Sequence, residues 1–171
     1  LEKTGVALVG LDPSMTLTYR SEYRAALPEG TAPKVQLLQD WLSRRLENRP
    51  LRTGEGERQT YYLLPHCTER AIGPEGIGGW RRLFVQAGLD LELLRAGCCG
   101  MAGTFGHEAE HRDMSERIYA MSWAGHVAAS GEAGRLVADG YSCRSQAKLI
   151  DGAALRHPLQ VLKLALASPP R

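Results

Sequence analysis

Four short apolar runs punctuate the chain: "GVALVGL" at 5–11, "QTYYLL" at 59–64, "LELLR" at 91–95 and "GRLVAD" at 134–139. Each is bounded by glycine, proline or polar residues, the mark of a buried strand. The stretches between them carry helical spacing. In "APKVQLLQDWLSRRLE", Val35, Leu38, Leu42 and Leu46 share one face, with Leu37 and Trp41 beside it. "GGWRRLFVQAG" predicts a helix stopped by Gly88, and "HPLQVLKLALA" a last one opening at His157-Pro158. From Asp113 onward, Met114, Ile118, Met121 and Ala128 form a helical stripe; its methionines read as core, and Asp113 with Glu116 reads as the helix cap. Strands alternating with helices predict an α/β fold, Rossmann-like, with a mainly parallel sheet between flanking helices. Residues 48–58, "NRPLRTGEGER", read as a surface loop too short to divide the chain. At 171 residues and 43% hydrophobic content, one domain over 1–171 is expected.

A parallel sheet brings the C-terminal ends of its strands to one edge, and ligands bind in the crevice there. All four cysteines follow strand-like runs. Cys67 comes after the second in "PHCTER", Cys98 and Cys99 after the third in "LRAGCCGMAGTF", and Cys143 after the fourth in "DGYSCRSQ". Three loops are therefore expected to gather four thiols at one edge, where "DPSMT" adds the hydroxyls of Ser14 and Thr16. Adjacent cysteines are poor disulfide partners, because a bridge between neighbours strains the peptide. Cys98 and Cys99 lie among glycines at 97, 100, 103 and 106, which allow the backbone to approach a bound group closely. The plainer reading of this stretch is a tight strand-to-helix turn with cysteines as small core residues.

The neighbours of the thiols are candidates in their own right. His66 precedes Cys67 and can supply a proton or a hydrogen bond, or simply end a strand. Arg70 and Arg144 can lower thiolate pKa values or grip a carboxylate bidentately, or stay solvated. His107 and His111 read as facing water.

The motifs "LLPHCTER", "AGCCGMAGTFG" and "YSCRSQ" resemble the cysteine-rich domain named for its Cys-Cys-Gly motif. That domain occurs in heterodisulfide reductases and in the iron–sulfur subunits of glycolate oxidase and anaerobic glycerol-3-phosphate dehydrogenase. With "DPSMTLTYRSEYRAAL" and "HPLQVL" added, nearly the whole chain is similar to the C-terminal end of large FAD-linked D-2-hydroxyacid dehydrogenases of the D-lactate and D-2-hydroxyglutarate type. The resemblance implies an iron–sulfur cluster, 4Fe–4S, held by Cys67, Cys98, Cys99 and Cys143, with Gly100 shaping the cofactor-binding loop. His66, Arg70, Arg144 and Gln146 are the catalytic candidates beside it. Gln146 stands where the family pattern often has a further cysteine. An amide does not replace a thiolate on iron, so four thiolates remain, the usual complement of one such cluster.

The same resemblance makes the chain a C-terminal fragment of a longer protein, in keeping with leucine at residue 1; a trimmed full-length protein is the alternative. FAD would sit on an upstream flavin domain, next to a ferredoxin-like domain, and a small 2-hydroxyacid would be the substrate. The fragment alone is then expected to be inactive. It has no C-x-x-C-x-x-C-x-x-x-C-P run and no dinucleotide or phosphate-binding glycine motif, and "GPEGIGG" at 73–79 has the wrong spacing for one.

A net charge of +2 with scattered arginines leaves no footprint for nucleic acid. No run is long enough to span a membrane and no signal pattern opens the chain, so a cytoplasmic setting is expected, with a peripheral position on the inner membrane as the alternative. Two rival readings stay open. One is a structural or interaction module whose cysteines stay free or hold zinc with His66 or His107, although the close C-x-x-C knuckle of such sites is absent. The other is a thiol enzyme with a nucleophilic and a resolving cysteine.

Overall fold

The computed structural model describes residues 5–47, 49, 51, 58–130 and 134–167. It is an α/β structure with five short parallel strands: β1 (Leu8–Gly10), β2 (Val35–Leu37), β3 (Thr60–Leu64), β4 (Asp90–Leu93) and β5 (Leu136–Ala138). They form two parallel sheets, β1-β2 and β4-β3-β5. Helices α1 (Pro13–Arg20) and α2 (Glu22–Ala26) follow β1, and α3 (Leu38–Arg45) follows β2. After β3 come α4 (Cys67–Ile72) and α5 (Pro74–Gln86). After β4 come two 3₁₀ turns, then α6 (Arg112–Ser122) and α7 (Ala124–Ser130); α8 (Tyr141–Asp151) and α9 (Pro158–Ala167) follow β5.

Each sheet residue points opposite to the next, so a strand buried on both faces reads as a continuous apolar run. In β3, Tyr61 and Leu63 join Val137 of β5 in one core with Trp80, Leu83 and Phe84 of α5 and Val161 and Leu162 of α9. Leu64, with Leu136 and Ala138 of β5, faces a second core made with Tyr119, Trp123, Val127 and Ala147 from α6, α7 and α8. This second core also contains Cys99, Met101 and Cys143. The layer that closes the sheet's second face is thus the layer that carries the thiols.

Three sequence expectations need correction. Val35–Leu37, read as the start of a helix, is instead strand β2, paired with β1 in the register Leu8↔Val35 and Gly10↔Leu37. It runs into α3 without a turn, so apolar positions 35, 37 and 38 satisfy both periods, and pairing with β1 decides. The Met114–Met121 stripe is not core. Met114 is 53% exposed and Met121 86%, while Ser115, Tyr119 and Trp123 are buried, and Ala128 is exposed. Polar anchors turn the helix this way. Tyr119 donates to Asp151 Oδ2 at 2.7 Å, and Trp123 Nε1 donates to the Gly97 carbonyl at 3.2 Å. Burial, and then Asp151, push the Tyr119 hydroxyl well above its ordinary range, so it stays a donor.

The third correction concerns the Asp113–Glu116 cap. Helix α6 opens at Arg112 after His111, with no side-chain cap bond, and Glu116 pairs instead with Arg112 at 2.8 Å.

The glycine stretch at 73–79 is the opening of α5, begun by Pro74 at its first turn. A Cβ at Gly79 would lie 2.9 Å from the Gln39 carbonyl, so the glycine permits α5 to lie directly on α3. The loop expected at 48–58 falls largely on positions outside the described residues.

Candidate functional site

The C-terminal edge of β4-β3-β5 gathers all four cysteines. Cys67 is the first residue of α4, three residues beyond the end of β3 and directly after the Pro65-His66 link. Cys143 lies in the first turn of α8, whose flank Gly140 provides no side-chain cap. Cys98 and Cys99 lie in the long turn after β4. The "loops" of the sequence reading at 67 and 143 are therefore helix openings. At the opening of α8 the Tyr141 N–H donates to Asp12 Oδ2 at 2.8 Å.

The sulfurs form one continuous row. Cys67 neighbours Cys98, Cys98 neighbours Cys99, and Cys99 neighbours Cys143. The Gly100 N–H also donates to Cys98 Sγ at 3.3 Å. The neighbouring thiols of Cys67 and Cys99, then that N–H and His66, hold Cys98 far below the ordinary thiol range despite partial burial. The neighbouring Cys98, followed by burial, pushes Cys67 up, and the neighbouring Cys143 and Cys98, followed by burial, push Cys99 up. Cys67 and Cys98 are half-buried at the mouth, while Cys99 and Cys143 are buried behind them.

Among the described residues, the group whose ligand atoms all lie within 4.8 Å of one another is Glu108, Glu110 and His111, and it contains no cysteine. A single tetrahedral zinc needs sulfur–sulfur edges of about 3.8 Å on all sides, from bonds of about 2.3 Å. Among the described residues no three of the cysteine sulfurs are mutually that close. His111 itself pairs with Glu108 at 2.8 Å and stacks on Phe105.

His66 is buried beside this row. Its N–H donates to Asp139 Oδ1 at 2.8 Å, and its Nδ1 accepts from Thr68 N at 3.2 Å, capping α4. A Cβ on Gly140 would collide with the His66 ring and come within 3.0 Å of Cys143 Sγ. The imidazole and that sulfur thus flank the same bare backbone.

Arg144 reaches back to the β5–α8 turn, where Nη1 donates to the Ala138 and Asp139 carbonyls at 2.9 and 2.8 Å. Burial lowers its pKa from the ordinary arginine range. Arg70 is half-buried in α4, and its buried Nε has no hydrogen-bond partner among the described residues.

Gln146 is 2% exposed, and its Nε2 donates to Ser115 Oγ at 2.7 Å. Gly100 has φ +88°, and a Cβ there would overlap the Ser115 carbonyl oxygen. Thr16 and Ser14 serve the opening of α1 instead of the thiols: the Thr16 hydroxyl donates to Asp12 O at 2.7 Å, and Asp12 Oδ1 accepts from Ser14 N at 3.0 Å.

A buried acid pair beneath His66 escaped the sequence reading. Glu69 and Asp139 are fully enclosed. Gln39 Nε2 donates to Glu69 Oε1, the His66 backbone N–H to Asp139 Oδ1, and Glu69 Oε2 and Asp139 Oδ2 have no hydrogen-bond partner among the described residues. Burial first, then the neighbouring Asp139, raises Glu69 to about 11, so Glu69 keeps its proton at neutral pH. "CTER" resembles a solvated helix start and "DG" a turn. The available signal was an acid immediately after an apolar strand, where a parallel sheet places its crevice.

Comparison with known proteins adds relatives to this geometry. D-2-hydroxyglutarate dehydrogenase of Escherichia coli K12 is 43% identical over 164 residues, which cover 95% of this chain and 16% of that protein. The protein of the same name from Haemophilus influenzae is 40% identical over 170 residues, again 95% of the chain and 16% of the relative. One of the subunits of anaerobic glycerol-3-phosphate dehydrogenase from E. coli K12 is 27% identical over 172 residues, covering 95% of the chain and 41% of that relative. The chain thus spans a small part of the D-2-hydroxyglutarate dehydrogenases it matches. No family model matches it, and no solved structure does.

Proposed function

We propose that this chain is the iron–sulfur redox domain of a flavin-dependent D-2-hydroxyacid dehydrogenase, with D-2-hydroxyglutarate or a close analogue as substrate. The observation that carries the reading is the row of four thiols from three chain segments at the sheet edge, with the mouth open at Cys67 and Cys98. Four soft anionic donors are what a 4Fe–4S cluster takes, and Cys67, Cys98, Cys99 and Cys143 would hold it. When bound, such a cluster supplies a one-electron relay between the flavin and the next acceptor.

The chain's own residues prepare that centre. The Gly100 N–H aimed at Cys98 Sγ stabilises added negative charge and so favours the reduced state. Cys99 and Cys143 keep water from one side, and the half-buried mouth leaves the other side close to a partner. FAD, hydride removal from the hydroxyacid and a ferredoxin-like relay belong to other parts of the longer protein, as the 16% coverage of the relatives suggests. Residues 1–171 would act as one domain within it. No helix among the described residues is long and apolar enough to cross a membrane.

Anaerobic iron–sulfide reconstitution tests this reading by metal and sulfide analysis with absorption and paramagnetic resonance spectra. About four irons per chain are expected, with the redox-active signal lost in Cys98→Ser and Cys143→Ser. One zinc per chain, or no metal in wild type under these conditions, would overturn it.

A further inference from the structure

The buried polar contact between α8 and α6 has no place in the ligand set, yet it ends on the double-cysteine turn. Gln146 Nε2 donates to Ser115 Oγ at 2.7 Å, and Ser115 Oγ donates to the Gly100 carbonyl at 2.9 Å. Ser115 is 1% exposed. A hydroxyl has a single proton, so the direction of this relay is set: the amide must donate for the hydroxyl's proton to stay on Gly100. Two glycines make room for it. A Cβ at Gly100 would strike the Ser115 carbonyl, and one at Gly106 would lie 2.7 Å from Ser115 Oγ. Met101, between those glycines, is wholly buried.

The relay joins elements that local structure leaves independent. Gln146 is three residues after Cys143, on the same side of α8, while Gly100 follows Cys99 directly. A shift of Gly100 against α8 therefore changes the gap between Cys99 and Cys143, the buried half of the thiol row. Among the described residues the turn's other bonds include Gly100 N–H to Cys98 Sγ, Gly106 N–H to the Met101 carbonyl at 2.9 Å, Phe105 N–H to the Ala102 carbonyl at 3.3 Å, Trp123 Nε1 to the Gly97 carbonyl, and Ser122 Oγ accepting from Gly97 N–H; none of them reaches α8.

We infer that Ser115 and Gln146 are positioning residues: a hydrogen-bonded relay through the Ser115 hydroxyl locks the Cys98-Cys99-Gly100 turn onto the helix that carries Cys143. Gln146 acts through Ser115 and is not itself a ligand. The relay stands on the geometry of the metal-free chain; its role in setting a cluster's potential rests on the iron–sulfur reading above.

The test measures iodoacetamide alkylation of Cys99 in the reduced, metal-free chain, followed peptide by peptide. Ser115→Ala removes both bonds and is expected to speed alkylation of Cys99 at least tenfold. Gln146→Met keeps the side chain's volume, removes one bond and is expected to give about threefold. The double variant should match Ser115→Ala alone, since the amide acts only through the hydroxyl; that non-additivity distinguishes a relay from two separate packing losses. Far-ultraviolet circular dichroism confirms that all three variants keep the native helix content. Cys99 rates within twofold of wild type in Ser115→Ala, or a double variant equal to the product of the single effects, would overturn the inference.

A second arm compares iron uptake and midpoint potential after reconstitution, where Ser115→Ala is expected to bind fewer irons or to shift the potential. If wild type takes up no iron, the cluster reading falls while the alkylation rates still decide the relay. If wild type takes up iron and the alkylation rates stay equal, the relay falls and the cluster reading stands.

Discussion

His157 provides a quantitative test of how the sheet edge is assembled. The residue opens α9 and is buried against Trp80, with ring centroids 5.3 Å apart. Its Nδ1 accepts from Leu159 N at 3.1 Å, and its buried Nε2 has no hydrogen-bond partner among the described residues. Burial, and then the nearby Arg144 guanidinium, lower its pKa from 6.5 to about 4, against the opposing pull of Asp139 and Asp12. In the unfolded chain the ring protonates near pH 6.5, whereas in the folded chain it stays neutral until about pH 4. The unfolded state therefore binds the proton first. His157 favours folding fully above pH 6.5, and that contribution is lost as pH falls toward 4. At 1.36 kcal/mol per pH unit, the loss between pH 7.5 and pH 4.5 is about 2.5 kcal/mol.

His157→Asn keeps a side-chain acceptor for the start of α9 and removes the titration. Urea unfolding of both chains at pH 7.5, 6.0, 5.0 and 4.5 isolates the effect, because the other titrating groups are common to both and largely cancel. Wild-type stability minus variant stability should drop by about 2.5 kcal/mol across the series, equivalent to roughly 5–10 °C in Tm for a domain of this size. Parallel curves, within about 0.5 kcal/mol at every pH, would refute the argument that this imidazole is held neutral by burial and Arg144.

Three further outcomes are expected. Glu69→Gln should stay within about 1 kcal/mol of wild type at pH 7 in urea titration, since a neutral amide replaces a carboxyl that is already protonated; Glu69→Ala should cost about 3 kcal/mol by leaving the buried Gln39 amide unpaired. Equal damage from both substitutions would mean Glu69 is ionised. Gly140→Ala drives a methyl between the His66 ring and Cys143 Sγ, and should cost about 1–3 kcal/mol in a thermal melt and reduce iron uptake; a variant normal in both respects counts against the packing described. Gly100→Ala and Gly103→Ala both place alanine at positive φ, but only the first meets the Ser115 carbonyl. The former should therefore be the less stable by about 1–3 kcal/mol, and equal denaturation midpoints would contradict it.

Much of the fold was legible because burial on both sides of a parallel sheet writes itself into sequence as uninterrupted apolar runs. Leu63 and Leu64 face opposite cores, so neither position tolerates a polar side chain. The two methionines of α6 were misread for the converse reason. A helix face is chosen by its partners, and Tyr119, Trp123 and Ser115 outweighed an equally spaced stripe by reaching Asp151, Gly97 and Gly100. Strand β2 was hidden because strand pairing is non-local: nothing within Val35–Leu37 reports that Leu8–Gly10 lies alongside.

The sequence by itself determined the alternation of strands and helices, and with it the convergence of four cysteines on one edge, since parallel strands have no other place to put them. It also supplied the thiolate chemistry, which belongs to residue type. Only the tertiary structure decided what each neighbour does there. It committed Arg144 Nη1 to two main-chain carbonyls, buried Glu69 beside Asp139, and placed Ser115 between Gln146 and the double-cysteine turn. Those outcomes depend on distances between segments far apart in the chain, set by how α4, α6 and α8 pack on the sheet. Local periodicity contains no information about such distances.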